Sequence, residues 1–246
     1  LVTIRCKNFT FEGIEAVLFD KDGTLANSEA YLRSLAQRRS RLIDAQIPGV
    51  QEPLLLAFGI EGVRINPAGL MAVGTRRENE IAAAAYVAET GKDWIEALQI
   101  VQSAFQEADR YGAEKAKNTP LIPGSRELIQ RLSNAGLKLA ILSSDSIEQV
   151  TAFVNLFDLK SYFLTARGVD EQFLEKSDPD LLAQIFATLK VQPEKILMIG
   201  DSRLDAQIAR DIGMAGFIGF LSGWSSLVVI PGVELTIHDF AEIEIF

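Results

Sequence analysis

Four short apolar runs, separated from one another by helical spacing, constrain the fold of this chain more than any other feature. They are Glu15 to Asp20 (EAVLFD), Leu137 to Leu142 (LKLAIL), Lys195 to Ile199 (KILMI) and Ala215 to Ile218 (AGFI). A strand that is apolar on both faces must be covered on both, and such strands alternating with helices form a parallel sheet between two helical layers. The expected fold class is α/β, a doubly wound parallel sheet with a Rossmann-like core. Ahead of the first run, Val2 to Cys6 and Phe9 to Phe11 read as a hairpin turning at Lys7-Asn8, expected to extend the sheet edge.

The helices between the runs have readable ends. Pro123-Gly124-Ser125 opens one that stops at Gly136, in the left-handed position after a helix. Asp178-Pro179 opens another, with Asp178 as cap and Pro179 in the first turn. Leu204, Ile208 and Ile212 mark the apolar face of a third, ended by Gly213.

Residues 26 to 119 interrupt the alternation with helical patterns at Glu29 to Ala45, Arg77 to Thr90 and Asp93 to Tyr111 and no clear strand. The expected organisation is a core of residues 1 to 25 and 120 to 246, and an inserted helical cap of 26 to 119. The insert holds 11 basic and 12 acidic residues, a charge of −1, so −8 of the total of −9 falls on the core.

That total argues against binding a nucleic-acid polymer, whose affinity comes from Lys and Arg neutralising phosphates. With 48% hydrophobic and 23% charged residues, the chain has apolar matter for a core and too little charge density for disorder. No run reaches the length of a membrane span, and no signal-peptide pattern follows Leu1, so a cytoplasmic protein without a membrane partner is expected. A single Cys6 and a single His238 exclude an internal disulfide and a zinc site of several His and Cys ligands. Chemistry must then rest on Asp, Glu, Lys, Ser or Thr.

Ligands of open parallel sheets bind beyond the carboxyl ends of the strands. Polar residues stand there after three runs: Asp20-Lys21-Asp22-Gly23-Thr24, Ser143-Ser144-Asp145 and Gly200-Asp201-Ser202-Arg203-Leu204-Asp205; Lys176 precedes a helix start. Clustered carboxylates repel one another unless a cation sits among them. Mg2+ suits such a set, because it takes oxygen ligands and leaves positions for phosphate oxygens. Lys176 and Ser143 add a charge and a donor for a phosphoryl group, whose transfer depends on positioning and neutralisation.

In order and spacing, these pieces resemble the four motifs of the haloacid dehalogenase superfamily. Asp20-Lys21-Asp22-Gly23-Thr24-Leu25 is similar to DxDGT, Ile141-Leu142-Ser143-Ser144 to the second motif, Lys176 with Asp178-Pro179 to the third, and Gly200 to Asp205 to GDSxxD. The helical insert between the first two resembles the cap of the phosphoglycolate phosphatase and β-phosphoglucomutase branch. The resemblance implies Asp20 as nucleophile, forming an aspartyl phosphate, and Asp22 as acid and base. It implies Mg2+ held by Asp20, the Asp22 main-chain carbonyl and Asp201, with Asp205 tightening the site. Ser143, Ser144, Lys176 and Thr24 would grip the phosphoryl group. The implied activity is phosphatase action on a small phosphorylated metabolite by a monomer or homodimer.

Departures refine this expectation. An acid at Asp22 favours phosphate esters over carbon-halogen or carbon-phosphorus bonds. No cap histidine follows the first motif, where Leu32 stands, which lowers the phosphomutase alternative. A receiver-like signalling module is another alternative and has no use for so large an insert; against a noncatalytic phosphate-binding protein stand the intact Asp20, Asp22, Lys176 and Asp201. Lys21 replaces the commoner apolar residue. In the insert, Arg33, Arg38, Arg39 and Arg41 read as a solvated face. Arg64, Arg76 and Arg77 flank a Gly-rich stretch and are candidates for selecting an anionic substrate tail. Asp145 is left outside the site. Asp201 and Asp178 also have the simpler reading of helix caps, and His238, Cys6, Trp94 and Trp224 that of structural or surface residues.

Overall fold

The computed structural model describes residues 2–110, 115–170, 172–173 and 175–246, and the backbone of Tyr111. The chain opens with β1 (Val2–Cys6), β2 (Phe9–Ile14) and β3 (Ala16–Phe19). It then enters the insert, α1 (Glu29–Asp44), α2 (Gln51–Phe58), β4 (Ile60–Glu61), β5 (Arg64–Ile65), α3 (Leu70–Val73), α4 (Arg76–Glu89) and α5 (Trp94–Tyr111). It returns through α6 (Ser125–Asn134), β6 (Lys138–Ser146), α7 (Ile147–Leu156), β7 (Phe163–Val169) and α8 (Pro179–Leu189). The last elements are β8 (Ile196–Gly200), α9 (Arg203–Ile212), β9 (Gly216–Phe220), β10 (Thr236–Ile237) and β11 (Ile243–Ile245).

Six strands form one parallel sheet in the order β10-β9-β8-β3-β6-β7. All four residues of β3 are buried, and they alternate between two apolar layers. Val17 and Phe19 face Leu128, Leu132 and Phe153 of α6 and α7, whereas Ala16 and Leu18 pack with Leu181, Ile185 and Ile208 of α8 and α9. This is a doubly wound, Rossmann-like α/β core. Chain order reverses on either side of β3, where such sheets bind ligands. Register aligns the strand ends, since Phe19 lies opposite both Ile141 of β6 and Ile199 of β8. The residues that follow these strands therefore emerge at one edge.

The hairpin at the start does form, but it does not extend that sheet. β1 pairs with β2 and with β11 in a separate three-stranded antiparallel sheet. Its apolar residues Ile4, Cys6 and Ile14 join Leu128, Ile129 and Ile243, so the hairpin covers a helical layer. The insert is helical as expected, with its own apolar cluster running through Ala36, Ile43, Phe58, Ala84 and Phe105. Its supposedly strand-free stretch carries the small hairpin β4-β5, and Trp224, Val228 and Ile230 from beyond β9 join its cluster. Among the described residues, no helix is long and apolar enough to cross a membrane.

Candidate active site

The loop after β3 builds the centre of the site. The Asp20 N–H donates to the Ile199 carbonyl at 2.9 Å, continuing the ladder by one residue. The chain then turns back: the Lys21 carbonyl accepts from the N–H groups of Leu25 and Ala26, both at 2.8 Å, and the Gly23 N–H donates to the Ala26 carbonyl at 2.9 Å. Gly23 has φ +84°, and a Cβ there would lie 2.4 Å from Asp201 Oδ2 and from Trp224 Nε1. Only glycine fits a left-handed position this close to two side chains.

Asp20, Asp201 and Asp205 are buried together, each offering a carboxylate oxygen within 4.8 Å of the others. Lys176 Nζ donates to Asp20 Oδ1 and to Asp205 Oδ1, both at 2.5 Å. Burial pushes the Asp20 carboxyl up to about 6 against the pull of Lys176, with Asp205 adding to the rise. Burial, then Asp20 and Asp205, likewise hold Asp201 well above the usual carboxylate range. One ammonium thus faces three carboxylates, and Asp20 Oδ2 is buried without a hydrogen-bond partner. An unpartnered carboxylate oxygen in an acidic, oxygen-only cluster fits a hard divalent cation. Asp205 braces this set: its Oδ2 accepts from Ser202 N at 3.1 Å and Oγ at 2.6 Å in a capping box at the start of α9. Trp224 Nε1 donates to Asp201 Oδ2 at 2.5 Å.

Asp22 points the other way. Its Oδ1 accepts from Lys21 Nζ at 2.7 Å and from Ser28 Oγ, and its Oδ2 accepts from Lys115 Nζ at 2.9 Å. Burial works to raise this carboxyl, but Lys115 and Lys21 outweigh it and hold it below the usual range. Both lysines also reach Asp145 Oδ2, Lys21 at 3.1 Å and Lys115 at 2.6 Å. Two clefts meet here. A small one is lined by Asp20, Asp22, Ser143, Lys176, Asp201 and Ala72; a larger one of about 160 Å³ runs under the insert. Asp22, Ala72 and Ser144 line both.

The model of one family, described as haloacid dehalogenase-like hydrolase, matches residues 14–213. The chain belongs to the haloacid dehalogenase-like hydrolase family. It is an enzyme, a phosphoric monoester hydrolase. The chain is 26% identical over 216 residues to phosphoglycolate phosphatase of Escherichia coli K12, covering 87% of this chain and 84% of that one. A predicted phosphoglycolate phosphatase from Haemophilus somnus shares the fold with a TM-score of 0.66 at 19% identity, over 94% of this chain and 96% of that one. A haloacid dehalogenase phosphatase from Thermococcus onnurineus does so with a TM-score of 0.63 at 20% identity, over 93% and 95%.

Within this hydrolase fold, Asp20, Ser143, Lys176 and Asp201 come together at one sheet edge, with Ser144 at the junction of the clefts. Asp201 does not cap α9, because Ser202 does; Asp178 is a cap, accepting from the N–H groups of Asp180 and Leu181. The Asp22 carboxylate stands outside the acidic cluster, held by two lysines. Other expectations are corrected. Thr24 is fully buried with Oγ1 3.3 Å from Asp201 Oδ1, so it braces that acid instead of lining the phosphoryl cleft. Arg64 lies on the exposed hairpin and Arg77 pairs with Glu80 at 3.6 Å; neither lines a cleft, since one helical residue turns Arg77 away from the face that Arg76 occupies. Arg76 does line the larger cleft, but its guanidinium is committed to Glu80 and, at 3.0 Å, to Asp109.

Four residues escaped the reading of the sequence. Arg39 is buried, donating to Asp109 at 3.0 Å and stacked 4.1 Å over the Phe105 ring, and is not part of a solvated face. Asp145 is in the site. Lys115 carries no motif, and its signal exists only in three dimensions, 93 residues from Asp22. Trp224 lies beside the acidic cluster.

Proposed function

We propose that this hydrolase is a magnesium-dependent phosphatase acting on a small phosphorylated metabolite through an aspartyl phosphate. The observation that carries the reading is Asp20: it ends the central strand, Lys176 holds one of its oxygens, and the other is buried without a partner beside Asp201. We further divide the molecule into a core of residues 1–25 and 120–246 and a cap of 26–119, which covers the cleft during the first step.

Asp20 and Asp201, with the Asp22 main-chain carbonyl, would hold magnesium, which supplies positive charge to phosphoryl oxygens. In the first step an Asp20 oxygen attacks phosphorus and the bond to the leaving oxygen breaks. Lys176 and Ser143 bind the phosphoryl oxygens. Asp22, at the junction of the two clefts, protonates the leaving oxygen once it has itself taken up a proton, because Lys21 and Lys115 hold it as the carboxylate in the structure described here. In the second step Asp22, now a carboxylate, takes a proton from the water that attacks the aspartyl phosphate and regenerates Asp20. The lysine-bound Asp22 seen here is in the form the second step needs. His238 pairs with Ser222 and lines neither cleft, so no histidine is placed for a mutase cycle.

The test is inorganic phosphate release from phosphorylated metabolites and p-nitrophenyl phosphate, with and without Mg2+. Release is expected to need the metal and to fall at least about a thousandfold in Asp20→Asn. Equal turnover by Asp20→Asn would overturn the reading.

A further inference from the structure

Of the three acids in the cluster, Asp201 is held differently from the other two. Lys176 takes Asp20 and Asp205. Among the described residues, the donors to the Asp201 side chain are both uncharged: the Trp224 indole N–H on Oδ2 at 2.5 Å, and the Thr24 hydroxyl 3.3 Å from Oδ1. All three residues are buried. A carboxylate that accepts from neutral donors is fixed in orientation and keeps its whole negative charge for a cation, whereas an ammonium would offset that charge. Outer hydrogen-bond partners of this kind orient a metal ligand and tune its affinity.

The indole is itself held in place. It belongs to the segment after β9, where Ser222 to Val229 make no main-chain to main-chain hydrogen bond among the described residues. Three consecutive residues tie that segment down. Gly223 lies against the loop after β3, so closely that a Cβ on it would come 1.7 Å from the Gly23 carbonyl oxygen. Trp224 joins the apolar cluster of the insert. Ser225 donates from N at 2.7 Å and from Oγ at 2.6 Å to the carboxylate of Glu29, the buried first residue of α1. A buried tryptophan N–H ordinarily finds some acceptor. Here the acceptor is a candidate metal ligand, and the neighbouring residues bind the catalytic loop on one side and the insert on the other.

We propose that Trp224 is a positioning residue for the divalent cation: its N–H sets the Asp201 carboxylate, the Ser225–Glu29 contact sets Trp224, and the affinity of the acidic cluster for Mg2+ therefore depends on the seating of the insert. The proposal rests on the magnesium reading above and names where part of the strength of that site comes from. The dependence runs both ways, because a contact that raises affinity for the ion is strengthened by the ion in equal measure.

The experiment is calorimetric titration of Mg2+ into the metal-free protein, without substrate. Trp224→Phe keeps a ring in the apolar cluster and removes the N–H. Its dissociation constant for Mg2+ is expected to rise about tenfold to a hundredfold, with a smaller change in kcat at saturating Mg2+. Ser225→Ala touches no acid of the cluster; it is expected to raise the constant about threefold, and to add nothing further in the Trp224→Phe background. An unchanged constant in Trp224→Phe overturns the proposal, as does an unchanged constant in Ser225→Ala should Trp224→Phe not fold. A Ser225→Ala effect of equal size in both backgrounds overturns it too, since the insert would then act on the ion by another route. If the unsubstituted protein binds no Mg2+, or Asp20→Asn binds it as tightly, the magnesium reading itself falls and the proposal with it.

Discussion

Asp20 has to ionise in order to attack, and ionisation is what its surroundings oppose. Its folded value of about 6 lies above that of an unfolded chain, so the neutral form stabilises the metal-free fold below about pH 4, and this contribution is lost as pH rises through 6. Asp20→Asn keeps the neutral shape at every pH. In the presence of a chelator its melting temperature should nearly match that of the unsubstituted protein near pH 4 and exceed it by several degrees at pH 7.5, at about 2–4 °C per kcal/mol. Thermal melts at the two pH values decide this; a variant less stable at pH 7.5 would show that the Lys176 pair outweighs the repulsion. Lys115 gives a second prediction. Lys115→Met leaves Asp22 and Asp145 short of a buried cation, and should lower kcat on p-nitrophenyl phosphate by about tenfold or more, with a smaller change in KM. The residue scale is also where sequence was most and least informative. Asp20, Asp201 and Ser143 follow apolar runs directly and were visible. Lys115, Arg39 and Trp224 act on partners brought close by the fold, 93, 70 and 23 residues away. Spacing along a chain has no record of such pairs.

Elements show the same division for a different reason. β3, β8 and the Leu139 to Leu142 stretch of β6 are buried on both faces, so their residues are continuously apolar and stand out. β7 lies at a sheet edge with a half-exposed middle, and β10 has two residues, so neither has a hydrophobic pattern long enough to see. The initial hairpin was recognisable from two short segments turning at Lys7-Asn8, but its partner β11 comes from the far end of the chain, and that pairing places it outside the main sheet. The loop between β3 and α1 carries the prediction at this scale. Gly23→Ala puts a methyl group 2.4 Å from Asp201 Oδ2 at a left-handed φ. A loss of about 1–3 kcal/mol and of metal-dependent turnover is expected. Chemical denaturation and phosphate release check both parts, and a variant of normal stability and activity would mean that the loop yields easily.

At the scale of the whole molecule, the segment after β9 ties the insert to the chemistry. Glu29, the first residue of α1, accepts from Ser225 N at 2.7 Å and Ser225 Oγ at 2.6 Å, and the neighbouring Trp224 reaches Asp201. A cation that binds the folded acidic cluster, and not the unfolded chain, stabilises everything joined to it. At a hundredfold excess over its dissociation constant the gain is about 2.7 kcal/mol, or roughly 5–10 °C in melting temperature for a chain of this size. Calorimetry with and without Mg2+ tests this, and a shift that survives in Asp20→Asn would place the ion elsewhere. The Trp224 contact has one more consequence. The chain has two indoles, and Trp94 is 45% exposed on the insert, whereas Trp224 is 7% exposed with its N–H on a carboxylate of the acidic cluster. The emission of an indole responds to the electric field along its ring, and a doubly charged ion arriving beside Asp201 changes that field. The molecule therefore carries its own optical gauge of the catalytic centre, readable without substrate or label once Trp94 is replaced by phenylalanine.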